Sequence, residues 1–194
     1  MSNLIDSAKS PKISIVGKNS EKLRAALGIA PARFEDCDGA IFIVSAQDGI
    51  VSADIDLWRQ ARELYVPSLI VITELGSSDI DFEDMSAIAS KILDPVVTPF
   101  LVLHDESGLP AALIHLETLQ ITDYSANPVL TSPASQEHQE LVQQFREEYL
   151  EQLEDAGEES FQAGLLFPAL PWIENSPIGI SEIKRYLDQI PVLG

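Results

Sequence analysis

The first residues with a chemical signature directly follow a short apolar run. That run is Ile-Ser-Ile-Val at positions 13–16, and Gly17, Lys18, Asn19 and Ser20 come next. Short apolar runs bounded by Pro and Gly are typical of buried strands, and residues 20–27 have the pattern of a short helix. A helix N-terminus offers free backbone amides to an anion. These four residues are therefore a candidate weak anion site.

Carboxylates and imidazoles are the other candidate ligands. One acidic cluster is close in sequence and consists of Asp79, Asp81, Glu83 and Asp84. It lacks the D-x-D-x-D-G pattern of a calcium loop, so a solvated loop followed by a helix cap is the favoured interpretation. The histidines His104, His115 and His138 have no metal-ligand spacing. We therefore expect no metal site and a structural role for His115.

The composition indicates which classes of partner the protein is expected to bind. The chain has 194 residues, 31 acidic and 12 basic, giving a net charge of −19. Such a surface repels nucleic acid and anionic lipid, so we expect neither as a partner, and a basic protein is the better electrostatic match. The single cysteine, Cys37, fits a reducing compartment. With no secretory signal pattern at the N-terminus and no run long enough to cross a bilayer, a cytoplasmic protein is expected.

Strand and helix patterns alternate over the first half of the chain. Apolar runs at 41–44 and 69–72 follow the first strand, and helical patterns occupy 20–27, 52–65 and 81–92. This order predicts a parallel α/β sheet wrapped by helices. The inner face of the second helix is expected to consist of Leu57, Trp58, Ala61, Leu64 and Tyr65.

The pattern changes after Pro95. Apolar runs at 100–103 and 112–116 flank a polar turn and predict a hairpin, with a third strand within 117–124. A long helix is predicted at 136–156, and its inner face is expected to consist of Leu141, Phe145, Tyr149 and Leu153. A last sheet strand at 163–167 and a helix capped by Ser181 follow. The predicted domains are thus a core at 1–94 and 163–194, interrupted by an α+β insertion at 95–162.

One continuous segment carries a resemblance to a known family. The segment reads DGAIFIVSAQDGIVSADIDLWRQARELYVPSLIVI and begins at Asp38. It resembles the translational GTPases, most closely bacterial elongation factor G and its ribosome-protection relatives. The insertion, with QELVQQFREEYLEQLEDAGEES, is similar to the subdomain that elongation factor G carries inside its G domain. The resemblance covers residues 12–17 and about 38–191, and it implies a P-loop NTPase-like sheet.

The residues that bind GTP in that family are not matched. A phosphate-binding G-x-x-x-x-G-K-[ST] loop counted from Gly17 places Leu23 and Arg24 at the lysine and hydroxyl positions. In the other register, Asn19 replaces the Mg²⁺-binding hydroxyl. The guanine-reading N-K-x-D position holds Thr-Glu-Leu-Gly, with Glu74 in place of the lysine. About twenty residues separate the first two strands, too few for the switch segments. We expect a degenerate G domain without GTP or GDP, cofactor or catalysis.

The resemblance also implies a partner surface. In the family the inserted subdomain contacts the ribosomal stalk protein through an acidic helix. The corresponding acidic residues here are Glu147, Glu148, Glu151, Glu154 and Asp155. The leading hypothesis is a non-catalytic protein-binding or regulatory module, linked to translation or the ribosome. Two alternatives stay open: a diverged nucleotide hydrolase with relocated site residues, and an assembly protein that forms a homodimer through a sheet edge exposed by the missing strands.

Overall fold

The structure is a computed structural model, and it describes residues 10–76 and 80–192. Its strands are β1 Ile13–Val16, β2 Gly39–Ser45, β3 Ser68–Thr73, β4 Phe100–His104, β5 Pro110–His115, β6 Gln120–Asp123, β7 Leu130–Pro133 and β8 Ala169–Pro171. Its helices are α1 Ser20–Leu27, α2 Ser52–Glu63, α3 Phe82–Ile92, α4 Gln136–Ala156 and α5 Ile180–Leu187. Within the described ranges, no helix is both long and apolar enough to cross a bilayer.

The first sheet is parallel, with strand order β1-β2-β3-β8. Every residue of β2 and β3 is buried, as expected of parallel strands covered on both faces. Trp58 of α2 packs edge-on against Phe42 of the sheet and against Phe167, with ring centroids 5.0 Å apart in each pair. The predicted α/β architecture is confirmed at this level.

The face predicted for the second helix is partly wrong. Trp58 and Ala61 are buried, but Leu64 is 70% exposed and Tyr65 is 62% exposed. The reason is that α2 ends at Glu63, and Tyr65 has a positive φ of 54°. Once the chain leaves the helix, the helical period no longer directs its side chains toward the core.

The sheet edge at β1 does not fit the exposed edge expected for a homodimer. All four residues of β1 are buried, even though the strand is the last in its sheet. On its inner side the pairing of β1 with β2 extends by one residue pair, where the Asp38 amide donates to the Lys12 carbonyl at 2.8 Å and the Lys12 amide donates to the Asp38 carboxylate at 2.7 Å. A covered edge is a poor template for pairing with another chain.

The second sheet is antiparallel, with order β4-β5-β6-β7, and it includes the predicted hairpin of β4 and β5. α4 has the predicted bounds, but its predicted inner face is partly wrong. Val142 and Tyr149 are buried, whereas Leu141 is 69% exposed and Phe145 is 43% exposed. A strict four-residue repeat rotates about 40° per step around a helix of 3.6 residues per turn, so it cannot stay on one face.

The last part of the chain also differs from expectation. Residues 163–167 form no strand: 163 and 164 lie in a turn, 165–167 are irregular, and the last strand of the parallel sheet is β8, which begins at Ala169. The helix α5 begins after Gly179, whose φ is +90°, and Ser181 does not cap it. A Cβ at Gly179 would overlap the Pro171 carbonyl oxygen. Close backbone approach therefore fixes the start of α5.

Arg62 contacts the chain on both sides of the segment that carries the antiparallel sheet, which is the segment expected to be an insertion in the parallel-sheet core. Its Nε donates to Asp94 Oδ2 at 3.1 Å, and its Nη1 donates to the Gly164 carbonyl at 2.9 Å. Its guanidinium also lies over the Phe167 ring, 4.4 Å from the centroid. Asp94 in turn accepts from Trp58 Nε1 at 2.7 Å. One side chain of α2 thus holds the chain both where it leaves the core and where it returns.

Candidate functional site

The parallel sheet brings four loops together at the carboxyl ends of its strands. In open α/β sheets this edge is where ligands usually bind. Gly17 follows β1 with a φ of +109°, and a Cβ there would lie 2.8 Å from the Ile43 carbonyl oxygen. Only glycine fits this approach without strain. The tight turn at Gly17 places Lys18 beside the loops that follow β2 and β3.

Lys18 is held by carboxylates from those two loops. Its Nζ contacts Asp48 Oδ2 and lies 3.0 Å from Glu74 Oε1. The side chains of Lys18 and Asp48 are about half exposed, at 50% and 53%. Hydrogen bonds to Asp48 and then to Glu74 raise the pKa of Lys18. The lysine of the predicted anion site is therefore already neutralised by the protein.

Glu74 is fixed from its other side by Ser45. The Ser45 hydroxyl donates to Glu74 Oε2. The same Ser45 oxygen accepts from the amides of Gln47 at 3.1 Å and Asp48 at 2.9 Å. Hydrogen bonds from Ser45 and then from Lys18 lower the pKa of Glu74, so its carboxylate stays charged at neutral pH. We call Lys18, Ser45, Asp48 and Glu74 the edge network.

A small cavity of about 210 Å³ adjoins the edge network. Its walls include Asn19, Thr73, Glu74 and Trp172. Glu174, in the loop after β8, also lines the cavity and pairs with Lys22 of α1 at 2.8 Å. With Lys18 and Lys22 both paired, three carboxylates face two ammonium groups at this edge. The local charge is thus net negative, which opposes binding of a phosphate.

The four residues of the candidate anion site lie together at the start of α1. Asn19 is the N-cap with φ of 63° and makes no side-chain capping bond, while its carbonyl accepts from the amides of Lys22 and Leu23. Ser20 begins the helix. The backbone amides at this N-terminus would attract an anion, whereas the carboxylates around Lys18 would repel it.

The acidic face of α4 is separate from this edge. Glu147, Glu148, Glu151, Glu154 and Asp155 are all exposed. Glu147 and Glu148 accept from the neutral side chains of Gln143 and Gln144, which leaves their charge uncompensated. Arg146 donates to the Glu117 carbonyl at 3.3 Å. Among the described residues, no ion pair includes a side chain of α4, so the acidic face keeps its full charge.

The other candidate ligands serve structural roles in the described chain. Asp81 caps α3 by accepting from the Asp84 amide at 2.8 Å, while Asp79 lies outside the described residues. His115 packs edge-on against Phe100, and burial lowers its pKa. His138 lies at the start of α4, beside Ser135. Across 10–76 and 80–192, no group of three or more His, Cys, Asp and Glu side chains is placed to hold a metal ion.

Sequence reasoning located Lys18 and Glu74 separately and missed that they meet. Ser45 and Asp48 lie in the segment that carries the family resemblance, but neither was predicted to be a site residue. The available signal was positional: each of the four residues is at or just past the end of a predicted parallel strand, and such ends share one edge of a sheet.

Comparison with known proteins adds a fold relationship. No protein-family model matches the chain. The crystal structure of ttk003000868 from Thermus thermophilus is similar, with a TM-score of 0.67 and 24% sequence identity over 82% of this chain. The match covers 27% of the Thermus chain, so the present chain spans about a quarter of that protein's length. At this identity the likeness shows the mixed α/β fold alone.

Proposed function

We propose that the chain is a pseudo-GTPase: a degenerate P-loop NTPase-like G domain of elongation factor G type, acting as a non-catalytic protein-binding or regulatory module. The observation that carries the proposal is the edge network. Glu74 stands where the guanine-reading lysine is expected, and it binds the lysine that follows β1. The strand order β1-β2-β3-β8 supports the proposal too, because it is the order expected of a G-domain sheet without its two switch strands.

The chemistry of phosphoryl transfer explains why activity would be lost. Catalysis depends on a lysine and Mg²⁺ that neutralise the phosphate charge, with a positioned water. Here the ammonium group of Lys18 already has two carboxylate partners. Asn19 stands at the position of the Mg²⁺-binding hydroxyl, so the serine or threonine oxygen that the family uses there is missing. An incoming nucleotide would need to displace Asp48 and Glu74 without any compensating charge.

A phosphate-release assay tests the loss of catalysis. The full chain is incubated with GTP or ATP and Mg²⁺, and we expect release no faster than in buffer. Release that requires both protein and Mg²⁺ would contradict the proposal and favour the alternative of a diverged hydrolase. Asp48→Asn is the matched variant, since residual hydrolysis through Lys18 would rise when one of its two carboxylate partners is neutralised.

The proposed partner is a basic protein that binds the acidic face of α4. Its residues Glu147, Glu148, Glu151, Glu154 and Asp155 are exposed and have no ion pair among the described residues. The family resemblance makes the ribosomal stalk protein the first candidate. Long-range attraction between such surfaces is screened over about 8–10 Å at physiological salt, so the binding should weaken as salt is raised.

A pull-down with the stalk protein at low and high salt tests this partner. We expect capture at low salt that falls when Glu147, Glu151 and Glu154 are changed to Gln. The control is a variant with the same loss of charge elsewhere, made at Glu21, Glu35 and Glu63. Equal capture by both variants, or capture that salt leaves unchanged, would refute a specific role for α4.

A further inference from the structure

A groove of about 380 Å³ runs between α3 and α4. One wall is formed by Ser86, Ala87 and Val96, and the other by Phe145, Glu148 and Tyr149. The groove therefore joins the core to the insertion, and it lies on the same helix as the acidic face. It is bounded by two helices, so it offers side-chain surface and no free strand edge.

Phe145 gives the groove an apolar wall that faces water. Its side chain is 43% exposed, while the neighbouring Tyr149 is buried. A large aromatic ring that lines a concave surface is the kind of residue that dominates binding at protein interfaces. Leu141, one turn earlier on α4, is even more exposed at 69% but does not line the groove. Substitutions at these two residues therefore distinguish binding in the groove from binding elsewhere on α4.

The charged residues around the groove favour a partner that carries positive charge. Glu148 and the partly buried Glu83 line it, and Lys91 is the one cation among the lining residues. Burial raises the pKa of Glu83, and its carboxylate accepts from the Val102 amide at a long 3.4 Å. A cation brought by a partner would compensate this half-buried carboxylate. A second copy of this chain, with its net charge of −19, is a poor source of that cation.

We propose that this groove binds a basic amphipathic helix, with an apolar side chain beside Phe145 and Lys or Arg side chains at Glu83 and Glu148. The inference rests on the proposed function, because it specifies how the protein-binding module recognises its partner. An amphipathic helix laid in a groove between helices is a recurrent mode of peptide recognition, in which apolar anchors are spaced at one or two helical turns.

The test uses a fluorescein-labelled peptide of about 18 residues, built of Leu and Lys with Leu at helical spacing, long enough to form a helix on binding. A second peptide has the same composition in scrambled order, which removes the apolar face and keeps the charge. Fluorescence anisotropy measures binding of each peptide to the full chain. We expect the amphipathic peptide to bind at least about tenfold more tightly than the scrambled one.

Three variants of α4 test where the peptide binds. Phe145→Ser should weaken binding of the amphipathic peptide about tenfold, while Leu141→Ser should change it less than about twofold. Glu148→Gln should weaken binding and reduce its dependence on salt. Circular dichroism confirms that each variant is folded, which is expected since both apolar residues are exposed. Equal effects of the two serine variants, or equal affinity for the two peptides, would overturn the proposal.

The two proposals fail in different experiments. A chain that binds both peptides equally and releases no phosphate refutes the groove and leaves the pseudo-GTPase proposal intact. A chain that binds the amphipathic peptide as expected but hydrolyses GTP refutes the proposed function and keeps the groove as a binding surface.

Discussion

Replacing Arg62 by Ala is expected to loosen the attachment of the insertion to the core. The variant loses the ion pair to Asp94, the bond to the Gly164 carbonyl and the stacking over Phe167. The side chains of Arg62 and Asp94 are each 30% exposed, so solvent screens their attraction only in part. Asp94 keeps its bond from Trp58, which limits the cost of leaving its charge behind.

The expected loss follows from these three contacts. A hydrogen bond to a backbone carbonyl contributes about 1 kcal/mol, a partly screened ion pair about 1 kcal/mol or less, and a cation–π contact about 0.5–1 kcal/mol. We therefore expect the free energy of unfolding to fall by about 2–3 kcal/mol. For a chain of this length, that lowers Tm by about 5–10 °C.

Urea unfolding followed by tryptophan fluorescence measures this loss, because Trp58 hydrogen-bonds the same Asp94. Arg59→Ala is the control on the same helix. Arg59 pairs with Asp56 at 3.2 Å, but both side chains are about 70% exposed, so its loss should be at most about 0.5 kcal/mol. If the two variants lose the same stability, or if Arg62→Ala loses less than about 1 kcal/mol, the clamp between core and insertion is refuted.

Three further outcomes are expected. Burial raises the pKa of Tyr149 to about 12 from 10, so the stability that its neutral hydroxyl contributes is fully present below pH 10 and is lost as pH rises through about 12. In Tyr149→Phe, the free energy of unfolding should therefore fall less over this pH range than in the unchanged chain, by up to about 3 kcal/mol. Gly179→Ala should destabilise the chain by more than about 2 kcal/mol in urea, because the methyl group overlaps the Pro171 carbonyl. In NMR titrations the pKa of Lys18 should fall in both Asp48→Asn and Glu74→Gln, because each variant removes a carboxylate partner, and a pKa that neither variant changes would contradict the edge network.

Sequence patterns predicted the features that depend on neighbours along the chain. Continuous apolar runs located β1, β2 and β3, because strands covered on both faces need apolar residues throughout. Asp81 was recognised as a cap from its place before an apolar helix, and the capping bond to the Asp84 amide confirms it. The length of α4 was equally clear from its uninterrupted helical pattern.

Features that depend on contacts distant in sequence were missed. The face of α4 was assigned by a four-residue repeat, but the second sheet decides which side is buried, and it selects Val142 over Leu141. β8 is three residues long and is defined by its pairing with β3, so composition alone did not place it. The edge network joins residues 18, 45, 48 and 74, and only the folded sheet brings these positions together.

Calorimetric titration of the full chain with GTP, in the presence of Mg²⁺, tests the central claim most directly. The claim is that Asp48 and Glu74 pair with Lys18, so that the sheet edge cannot bind a nucleotide. We predict no heat beyond dilution up to about millimolar GTP, which corresponds to a binding free energy weaker than about −4 kcal/mol. Saturable, Mg²⁺-dependent binding with a micromolar Kd would contradict the claim.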